Sequence, residues 1–379
     1  MKLKNTVKYL PSVIFCGFIF VFMLLWFVLP KESYSAQEKR MLSDFPELNA
    51  ETLFNGDFQK NLDTWMSDHI PARNFFVGLN ADYDLISGRN GSKGIYLGTD
   101  GYLFPKPVTE SETLMKNAGY IKEFAESMDI PVYMTVIPSS GYVNNSKLPI
   151  VHEEYTDNEL INEFSAALGD KVEFIDVKNA MVREASTKQL YYRTDHHWTS
   201  QGAYECYKVL GKTMGYEPVA KSDFSIKTVT GFYGTSYSKS ALWFVAPDNI
   251  EMWHNNKQPN DSITVQIKDG QDIKTKNSYF FEEQLRNDDK YPVFLDGNHS
   301  IVKITNTNAN EGTLIVVKDS YAHTIVPFLS QNYRNIIMAD LRYYKKDISA
   351  LAKEENADEV LLLYSLDNIA SDPYLSNLF

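Results

Sequence analysis

Cysteines are scarce in this sequence, and basic residues are fewer than acidic ones. Only two of 379 residues are cysteines, Cys16 in an apolar N-terminal run and Cys206 in a helix-like segment far downstream. We therefore predict no disulfide, which is compatible with an exported protein from an organism that uses few of them. Basic residues are outnumbered, and the formal net charge is −12. That charge argues against a general nucleic-acid binder, because phosphate contacts need a basic surface.

Metal-binding motifs are also missing. There is no H-E-x-x-H motif and no cysteine cluster, and the residues that could act as ligands are few: Asp195, His196, His197, His299 and His323. Adjacent histidines on an extended segment point to opposite faces, so both rarely bind one ion. We predict no metal and no other cofactor. Repeats and low-complexity tracts are absent, and 44% apolar residues indicate a packed globular protein.

A long uncharged apolar run, residues 9–29, stands near the N-terminus. Three lysines precede it: Lys2, Lys4 and Lys8. Roughly 20 apolar residues cross a hydrocarbon layer about 30 Å thick, and leading lysines place the N-terminus in the cytoplasm. A cleaved signal peptide is the alternative, although its apolar core is usually about 7–15 residues long and Tyr34 stands where a small residue is wanted. We predict a single-pass signal-anchor in the cell membrane over residues 1–30, with the remaining chain extracytoplasmic.

The remainder divides into a lead-in and a larger domain. Residues 31–93 predict a polar stalk followed by helices, and residues 94–379 a catalytic domain with an irregular, β-rich insertion at about 221–311. The domain begins with a hairpin over 95–104, whose turn is Asp100-Gly101. Strands are predicted at 131–137, 172–177, 313–317, 336–339 and 359–364. Helices are predicted at 110–128, 158–168, 179–185, 199–215, 321–330 and 350–355. This alternation predicts an α/β fold with a mostly parallel sheet.

One segment with catalytic residue types is Asp195-His196-His197-Trp198, just ahead of the helix-capping residues Thr199 and Ser200. An Asp two residues before a His can accept a hydrogen bond from one imidazole nitrogen. The other nitrogen is then available as a general base. Because this spacing is common by chance, two polar loop histidines are the structural alternative.

A second segment, Lys318-Asp319-Ser320, ends an apolar strand and leads directly into a helix. An α/β fold presents a nucleophile at such a strand end, where backbone N–H groups of the helix can bind an oxyanion. The structural alternative is that Asp319 and Ser320 only cap the helix. Taken together, the two segments supply the base, its orienting carboxylate and the nucleophile that covalent catalysis needs.

The segment 195–198, with the Ser-Gln-Gly-Ala that follows, resembles the signature of the bacterial DHHW protein family. Those proteins resemble the SGNH-hydrolase-like enzymes of alginate O-acetylation, which carry D-x-H-W and a later G-D-S segment. Supporting matches are Gly231–Ser236, Gly297–His299, Lys318–Ser320 and Arg342–Tyr344. Two departures stand out. Lys318 replaces the expected glycine, which predicts a looser turn, and the pair spacing is D-x-H, as in the alginate branch, not D-x-x-H.

The resemblance implies an SGNH-like α/β/α sandwich in which Asp195 orients His197 and His197 activates Ser320. The oxyanion candidates are backbone N–H groups at Ser320 and Tyr321, and the side chain of Asn298, for which a plain turn role is the alternative. Substrate-binding candidates follow a strand at the same sheet edge, with ordinary packing as their alternative: Arg342, Tyr343 and Tyr344.

The implied function is O-acyl transfer, with acetyl as the expected group, to a cell-surface polysaccharide or exopolysaccharide. Because acetyl-CoA is absent outside the membrane, a multi-pass membrane-bound O-acyltransferase is the expected acyl donor. The same triad would serve a carbohydrate acetylesterase. A third hypothesis, favoured by Lys318 and the insertion, is a non-catalytic carbohydrate-binding or scaffold protein of a polysaccharide export complex.

Overall fold

The computed structural model describes residues 2–109, 111–259, 261–270 and 272–379, and only the backbone of residues 2–8. Glu110, the predicted first residue of one helix, lies outside this range. The chain forms two compact units. The N-terminal unit comprises Met1–Arg89 and Ala241–Trp243, and the second unit comprises Asn90–Ser240 and Phe244–Phe379.

The N-terminal unit is helical, as the spacing of its apolar residues predicts. Its elements are α1 (Lys2–Val28), β1 (Tyr34–Ser35), β2 (Arg40–Met41), α2 (Ala50–Phe54), α3 (Asp57–Asp68) and α4 (Arg73–Ile86). Within α1, the 20 residues Tyr9–Val28 have a mean hydropathy of 2.4 and none is buried. This apolar helix is a candidate membrane anchor or signal sequence.

The second unit alternates strands and helices over most of its length. Its strands are β3 (Gly91–Ser92), β4 (Ile95–Leu97), β5 (Leu103–Pro105), β6 (Val132–Ile137), β7 (Val172–Phe174), β8 (Phe224–Phe232), β9 (Asp248–Asn255), β10 (Ile263–Asp269), β11 (Asp272–Lys276), β12 (Ile301–Asn306), β13 (Thr313–Lys318), β14 (Asn335–Ala339) and β15 (Glu359–Ser365). Its helices are α5 (Glu112–Ser127), α6 (Ser140–Val143), α7 (Asp157–Ala167), α8 (Lys178–Ala185), α9 (Ser200–Met214), α10 (Thr235–Ser240), α11 (Ala322–Leu329), α12 (Ile348–Glu354) and α13 (Leu366–Ile369).

Eight of these strands form one sheet, in the order β11-β10-β12-β14-β13-β15-β6-β7. The five strands from β14 to β7 pair in parallel, and the three before them are antiparallel. The prediction of an α/β fold with a mostly parallel sheet is therefore confirmed. Every residue of β13 is buried. Leu314 and Val316 pack with α9 and α11, whereas Ile315 and Val317 pack with α5, α7 and α12, so helices cover both faces of the sheet.

The predicted Asp-Gly hairpin is present, since β4 pairs antiparallel with β5. Asp100 and Gly101 both have positive φ, 57° and 75°, as the tight turn between paired strands requires. The predicted irregular insertion is more regular than expected. Its first part is the β8–β9 hairpin, and residues 263–306 supply three strands that extend the central sheet.

Candidate active site

Ser320 stands at the carboxyl edge of the parallel strands. It follows the end of β13 by two residues and precedes α11, so a sharp turn presents its hydroxyl half-buried at the surface. Asp319 holds this turn: its Oδ1 accepts from the Tyr321 N–H at 2.9 Å. Its Oδ2 accepts from Ser365, the last residue of the neighbouring β15, and from Asn368 just beyond it. Asp319 therefore anchors the turn to the next strand of the sheet.

The segment 195–198 is the tip of a closed loop ahead of α9. Backbone hydrogen bonds join Tyr192 to His197 and Thr199 to Leu190, which closes the loop at its base. Trp198 is wholly buried, and its indole N–H donates to the Tyr321 carbonyl oxygen at 3.1 Å. The loop is thus fastened to the turn that carries Ser320, although the two lie over 120 residues apart in the sequence.

Asp195, His197 and Ser320 form one hydrogen-bonded chain. His197 Nε2 lies 2.7 Å from Ser320 Oγ, and His197 Nδ1 lies 2.5 Å from Asp195 Oδ1. Asp195 also accepts from the His197 backbone N–H at 2.9 Å and from the Thr235 N–H at 2.6 Å. Burial raises the pKa of Asp195, but the charges of His197 and His196 and these hydrogen bonds outweigh it. The pKa of Asp195 therefore lies well below its usual value, and the carboxylate stays ionised.

The model of the DHHW protein family matches residues 169–339, which include the segment 195–198 and Ser320. The predicted resemblance to DHHW proteins is confirmed. A DHHW family protein from Eubacterium siraeum is 23% identical with a TM-score of 0.64, over 76% of this chain and 95% of that one. Bacillus cereus PatB1, solved with a sulfonyl adduct, is 23% identical with a TM-score of 0.63, over 73% of this chain and 96% of that one. These two likenesses show a shared fold.

Two curated relatives carry the name probable alginate O-acetylase AlgJ. The protein from Pseudomonas putida is 24% identical over 191 residues, which is 48% of this chain and 50% of that protein. The one from Pseudomonas fluorescens is 26% identical over 173 residues, which is 43% of this chain and 44% of that protein. The chain thus spans about half the length of the curated relatives that it matches.

Gly234 belongs to a segment that the DHHW resemblance singled out without a role, and the structure gives it one. A Cβ at this position would lie 2.1 Å from the Asp195 Cβ and 2.3 Å from Asp195 Oδ2. The neighbouring Thr235 donates to Asp195 from both its N–H and its hydroxyl. Gly234 and Thr235 therefore hold the Asp195 carboxylate in position, Gly234 by leaving space for it and Thr235 by hydrogen bonding.

Gly234→Ala is expected to lower both stability and turnover, because the new methyl group must displace the Asp195 side chain. Overpacking of this kind costs on the order of 1–3 kcal/mol in the free energy of unfolding. The measurement is the thermal unfolding midpoint together with kcat for an activated ester. Gly119→Ala in α5 is the matched control, since a Cβ there meets nothing within 4 Å and helix propensity favours alanine. Equal unfolding midpoints and equal kcat values in the two variants would contradict the proposed role of Gly234 in positioning Asp195.

Tyr291 is a site residue that sequence reasoning missed, because it lies in the region predicted to be irregular. Its ring stacks on His197, with centroids 3.9 Å apart and planes inclined by 10°. Its hydroxyl lies 3.2 Å from the Ser320 carbonyl oxygen, to which it donates, and 2.9 Å from Thr324 Oγ1. Burial raises the pKa of Tyr291 well above its usual value, so the hydroxyl remains a donor. Tyr291 therefore fixes the plane of the His197 imidazole and the backbone of Ser320 together.

Tyr291→Leu is expected to lower kcat on the order of 10²-fold, since the His197 ring loses the surface that fixes its plane. Tyr291→Phe keeps the stacking and should retain most of kcat. The check is a comparison of kcat and KM for both variants across pH. A positioning role predicts that kcat falls and KM is unchanged, with rescue by phenylalanine. Equal losses in both variants would instead assign the effect to the hydroxyl.

Lys318, the departure from the expected glycine, belongs to a buried ion cluster. Its Nζ lies 2.8 Å from Asp340 Oδ2 and 2.8 Å from His323 Nε2. Arg342 completes the cluster with two hydrogen bonds to Asp340, at 2.8 and 2.6 Å. Burial, and then the Lys318 charge, hold the pKa of His323 well below its usual value, so this imidazole is neutral and can accept. Lys318 thus stabilises the turn through these contacts. The looser turn that was predicted from the replacement of glycine by lysine is not observed.

The three oxyanion candidates have different environments. The Tyr321 N–H is already donated to Asp319, so Tyr321 does not offer it in this conformation. The Asn298 side chain is exposed, and its Oδ1 accepts from Arg342 at 3.1 Å and from Lys318 at 3.5 Å. The N–H of Ser320 has no acceptor among the residues that the structure describes. Of the three, Ser320 is thus the one with an available backbone donor.

The candidates for substrate binding are only partly available. Arg342 is engaged by Asp340, and Tyr344 packs against the hydrophobic core. Tyr343 is 53% exposed, and the Arg342 guanidinium lies 5.6 Å from its ring centroid. Tyr343 is therefore the most exposed member of this trio.

Asp195, His196 and His197 have potential metal-ligand atoms within 4.8 Å of one another. Two ligands of a tetrahedral zinc ion lie roughly 3.3 Å apart, given bonds of about 2.0 Å. The 2.5 Å between His197 Nδ1 and Asp195 Oδ1 is shorter and is a hydrogen bond. His196 Nδ1 contacts the Thr235 hydroxyl at 2.6 Å. These contacts fit a hydrogen-bonded triad better than a shared ion.

Proposed function

We propose that this chain transfers an O-acyl group, an acetyl group in the simplest case, to a hydroxyl of an extracytoplasmic polysaccharide through an acyl-Ser320 intermediate. The observation that carries the proposal is the 2.7 Å contact between Ser320 Oγ and His197 Nε2, with Asp195 behind the imidazole. A hydroxyl beside a base that a carboxylate orients is the arrangement of nucleophilic acyl transfer on many unrelated folds.

In the first half of the reaction, His197 Nε2 takes the Ser320 proton while Oγ attacks the acyl carbonyl carbon. Asp195 stabilises the imidazolium through Nδ1, and the imidazolium then protonates the departing oxygen of the donor. In the second half, a sugar hydroxyl gives its proton to His197 and attacks the acyl-Ser320 carbonyl. Ser320 regains a proton as the ester leaves, so no proton is gained or lost overall.

The negative oxygen of each tetrahedral intermediate needs a donor, and the Ser320 N–H is the one we assign. It belongs to the turn that Asp319 holds, and it is not committed to a described acceptor. A preorganised backbone donor of this kind strengthens as charge develops on the oxygen. A nucleophile at a strand end, with helices on both sheet faces, supports assignment to the SGNH-hydrolase-like architecture.

The relatives support a polysaccharide as the acyl acceptor, and helix α1 supports a membrane-bound protein as the acyl donor. Two relatives are named probable alginate O-acetylases, which supports acetyl transfer to a polysaccharide hydroxyl. We propose that Tyr343 contacts the sugar, because it is exposed beside Arg342. We further propose that α1 keeps the chain in the membrane as a single-pass anchor, beside a multi-pass O-acyltransferase that supplies the acyl group.

The test supplies the full chain with an acetyl ester, p-nitrophenyl acetate, and a panel of neutral and acidic oligosaccharides. Mass spectrometry follows acetylated sugar, and titration follows free acetate. Transferase activity predicts acetylated sugar from the parent and from Ser376→Ala, a change at an exposed serine, but none from Ser320→Ala. Acetate without acetylated sugar would establish the esterase instead. If the parent forms neither acetylated sugar nor acetate, the transferase and the esterase hypotheses are both refuted. The non-catalytic carbohydrate-binding protein is then the remaining hypothesis.

A further inference from the structure

Helix α4 in the N-terminal unit carries an exposed apolar face. Four large side chains repeat along it at intervals of four, four and three residues, and their exposed fractions are Phe75 64%, Leu79 50%, Tyr83 65% and Ile86 84%. This spacing places all four on one side of a helix. A contiguous stripe of this kind marks an interaction surface more often than isolated exposed residues do.

The opposite side of α4 already has its packing partners. Ala81 and Asp84 are buried, and a Cβ at Gly78 would lie 3.3 Å from the Trp243 ring of the same unit. The exposed stripe is therefore not the face that holds the helix in its unit.

The same unit contains the apolar helix α1, and the contacts between α1 and its neighbours indicate what covers the stripe. The Phe22 ring lies edge-on to Phe76 of α4, with centroids 5.7 Å apart. Trp26 meets Trp65 of α3 at 5.3 Å. Phe22 lies six residues before the end of α1, or about 9 Å along its axis. If α1 crosses a bilayer, this contact lies within the outer half of a hydrocarbon layer about 30 Å thick.

An apolar crevice runs between α1 and α3 in the same region, with a volume of about 540 Å³. Its lining includes Phe18, Phe22, Met66 and Ile70. The Lys31 ammonium sits 4.2 Å above the Trp26 ring at the end of α1. Tryptophan and lysine at the end of an apolar helix are typical of the lipid–water interface, which places α3 and α4 at that level.

We propose that α4 lies in the outer lipid–water interface of the membrane that α1 spans, with its apolar face against the acyl chains. The occupant of that face is lipid. Tyr83, amphipathic and on the same face, suits the headgroup boundary. The inference rests on α1 being a membrane span and is independent of the proposed transferase activity.

The net charge around α4 indicates which forces hold this helix against the lipid. Residues 50–86 carry six acidic and two basic side chains. Anionic lipid headgroups would not attract such a segment, unlike a basic amphipathic helix. Apolar burial and the covalent link to α1 therefore hold α4 in place, and the contact should form equally in neutral and anionic bilayers.

The test measures the depth of α4 with a single fluorescent label on the full chain in phosphatidylcholine vesicles. Cys16→Ala removes the exposed native thiol, and Cys206 is buried with a raised pKa, so only an introduced cysteine reacts. Nitrobenzoxadiazole is attached at Leu79→Cys or at its exposed polar neighbour Asn80→Cys. Iodide quenches label in water, and doxyl-labelled lipid quenches label in the bilayer.

The proposal predicts that iodide quenches the label at position 79 several-fold less than at position 80, and that doxyl lipid quenches it several-fold more. Added phosphatidylglycerol should change neither result. Ile86→Cys and Ser87→Cys form a second exposed pair and should repeat the pattern. Equal iodide quenching within both pairs would overturn the proposal. Protection from iodide without doxyl quenching would also overturn it, because a protein would then cover the face.

Discussion

Ser320→Ala is expected to abolish the acyl-enzyme and to lower kcat for an activated acetyl ester by a factor on the order of 10⁴–10⁶. Loss of the hydroxyl removes the oxygen that His197 Nε2 contacts at 2.7 Å, so the proposed covalent route is lost. Burst kinetics with p-nitrophenyl acetate measure the effect. The residual rate reports binding and oxyanion stabilisation alone.

His197→Ala supplies the matched comparison for this loss. Residues that act as one catalytic unit show effects that do not add. The double variant with Ser320→Ala should therefore be no slower than either single variant. Multiplicative losses in the double variant would show that His197 and Ser320 act independently, against the account given above.

Asp195→Asn is expected to lower kcat by about 10³–10⁴-fold while leaving the fold intact, as the equivalent change does in serine proteases. The amide can donate to Nδ1, which would leave the proton on Nε2 and deprive Ser320 of its base. Thr235 would still donate to the remaining side-chain oxygen, so the position should stay occupied. The measurements are kcat and the imidazole ¹⁵N shifts, which report the tautomer.

Asp63→Asn, an exposed change in α3, is the charge-matched control and should leave kcat unchanged. An Asp195→Asn enzyme with parental kcat and the parental tautomer would remove Asp195 from the mechanism. A variant that fails to fold would show an altered unfolding midpoint, which separates structural from catalytic loss.

The catalytic candidates could be found from the sequence because each lies in a short segment with its own local chemistry. Asp195 and His197 are two residues apart ahead of a capped helix, and Ser320 closely follows a buried strand. Both signals are local, and chain topology brings them together. The central parallel strands were predictable for the same reason, since runs such as 314–317 and 360–364 are apolar throughout.

The antiparallel extension of the sheet was missed because its two outer strands, β10 and β11, bury at most one face. In β10, the buried Ile263, Val265 and Ile267 alternate with polar residues, and the neighbouring β11 is mostly exposed. Charged residues at the sheet edge dilute the apolar signal, so the region resembles an irregular insertion in composition. Tyr291 was missed with it, since no periodic pattern predicts which tyrosine will stack on an imidazole.

The role of Lys318 depends on a strand register that the sequence does not reveal. Val317 of β13 lies opposite Ala339 of β14, so the next residues on these strands, Lys318 and Asp340, are brought side by side. A buried lysine beside a buried carboxylate is a paired charge and not an obstruction. Without knowledge of the strand register, the sequence showed only that Lys318 replaces the glycine of related motifs. The ion pair with Asp340 could not be predicted.

Intact mass spectrometry of the full chain during the reaction with p-nitrophenyl acetate tests the central claim most directly. The account predicts a gain of one acetyl group, mapped to Ser320 after proteolysis, that disappears when an acceptor sugar is added. Ser320→Ala should show no gain. An unmodified Ser320 throughout turnover, or an acetyl group carried by another residue, would contradict the acyl-serine mechanism.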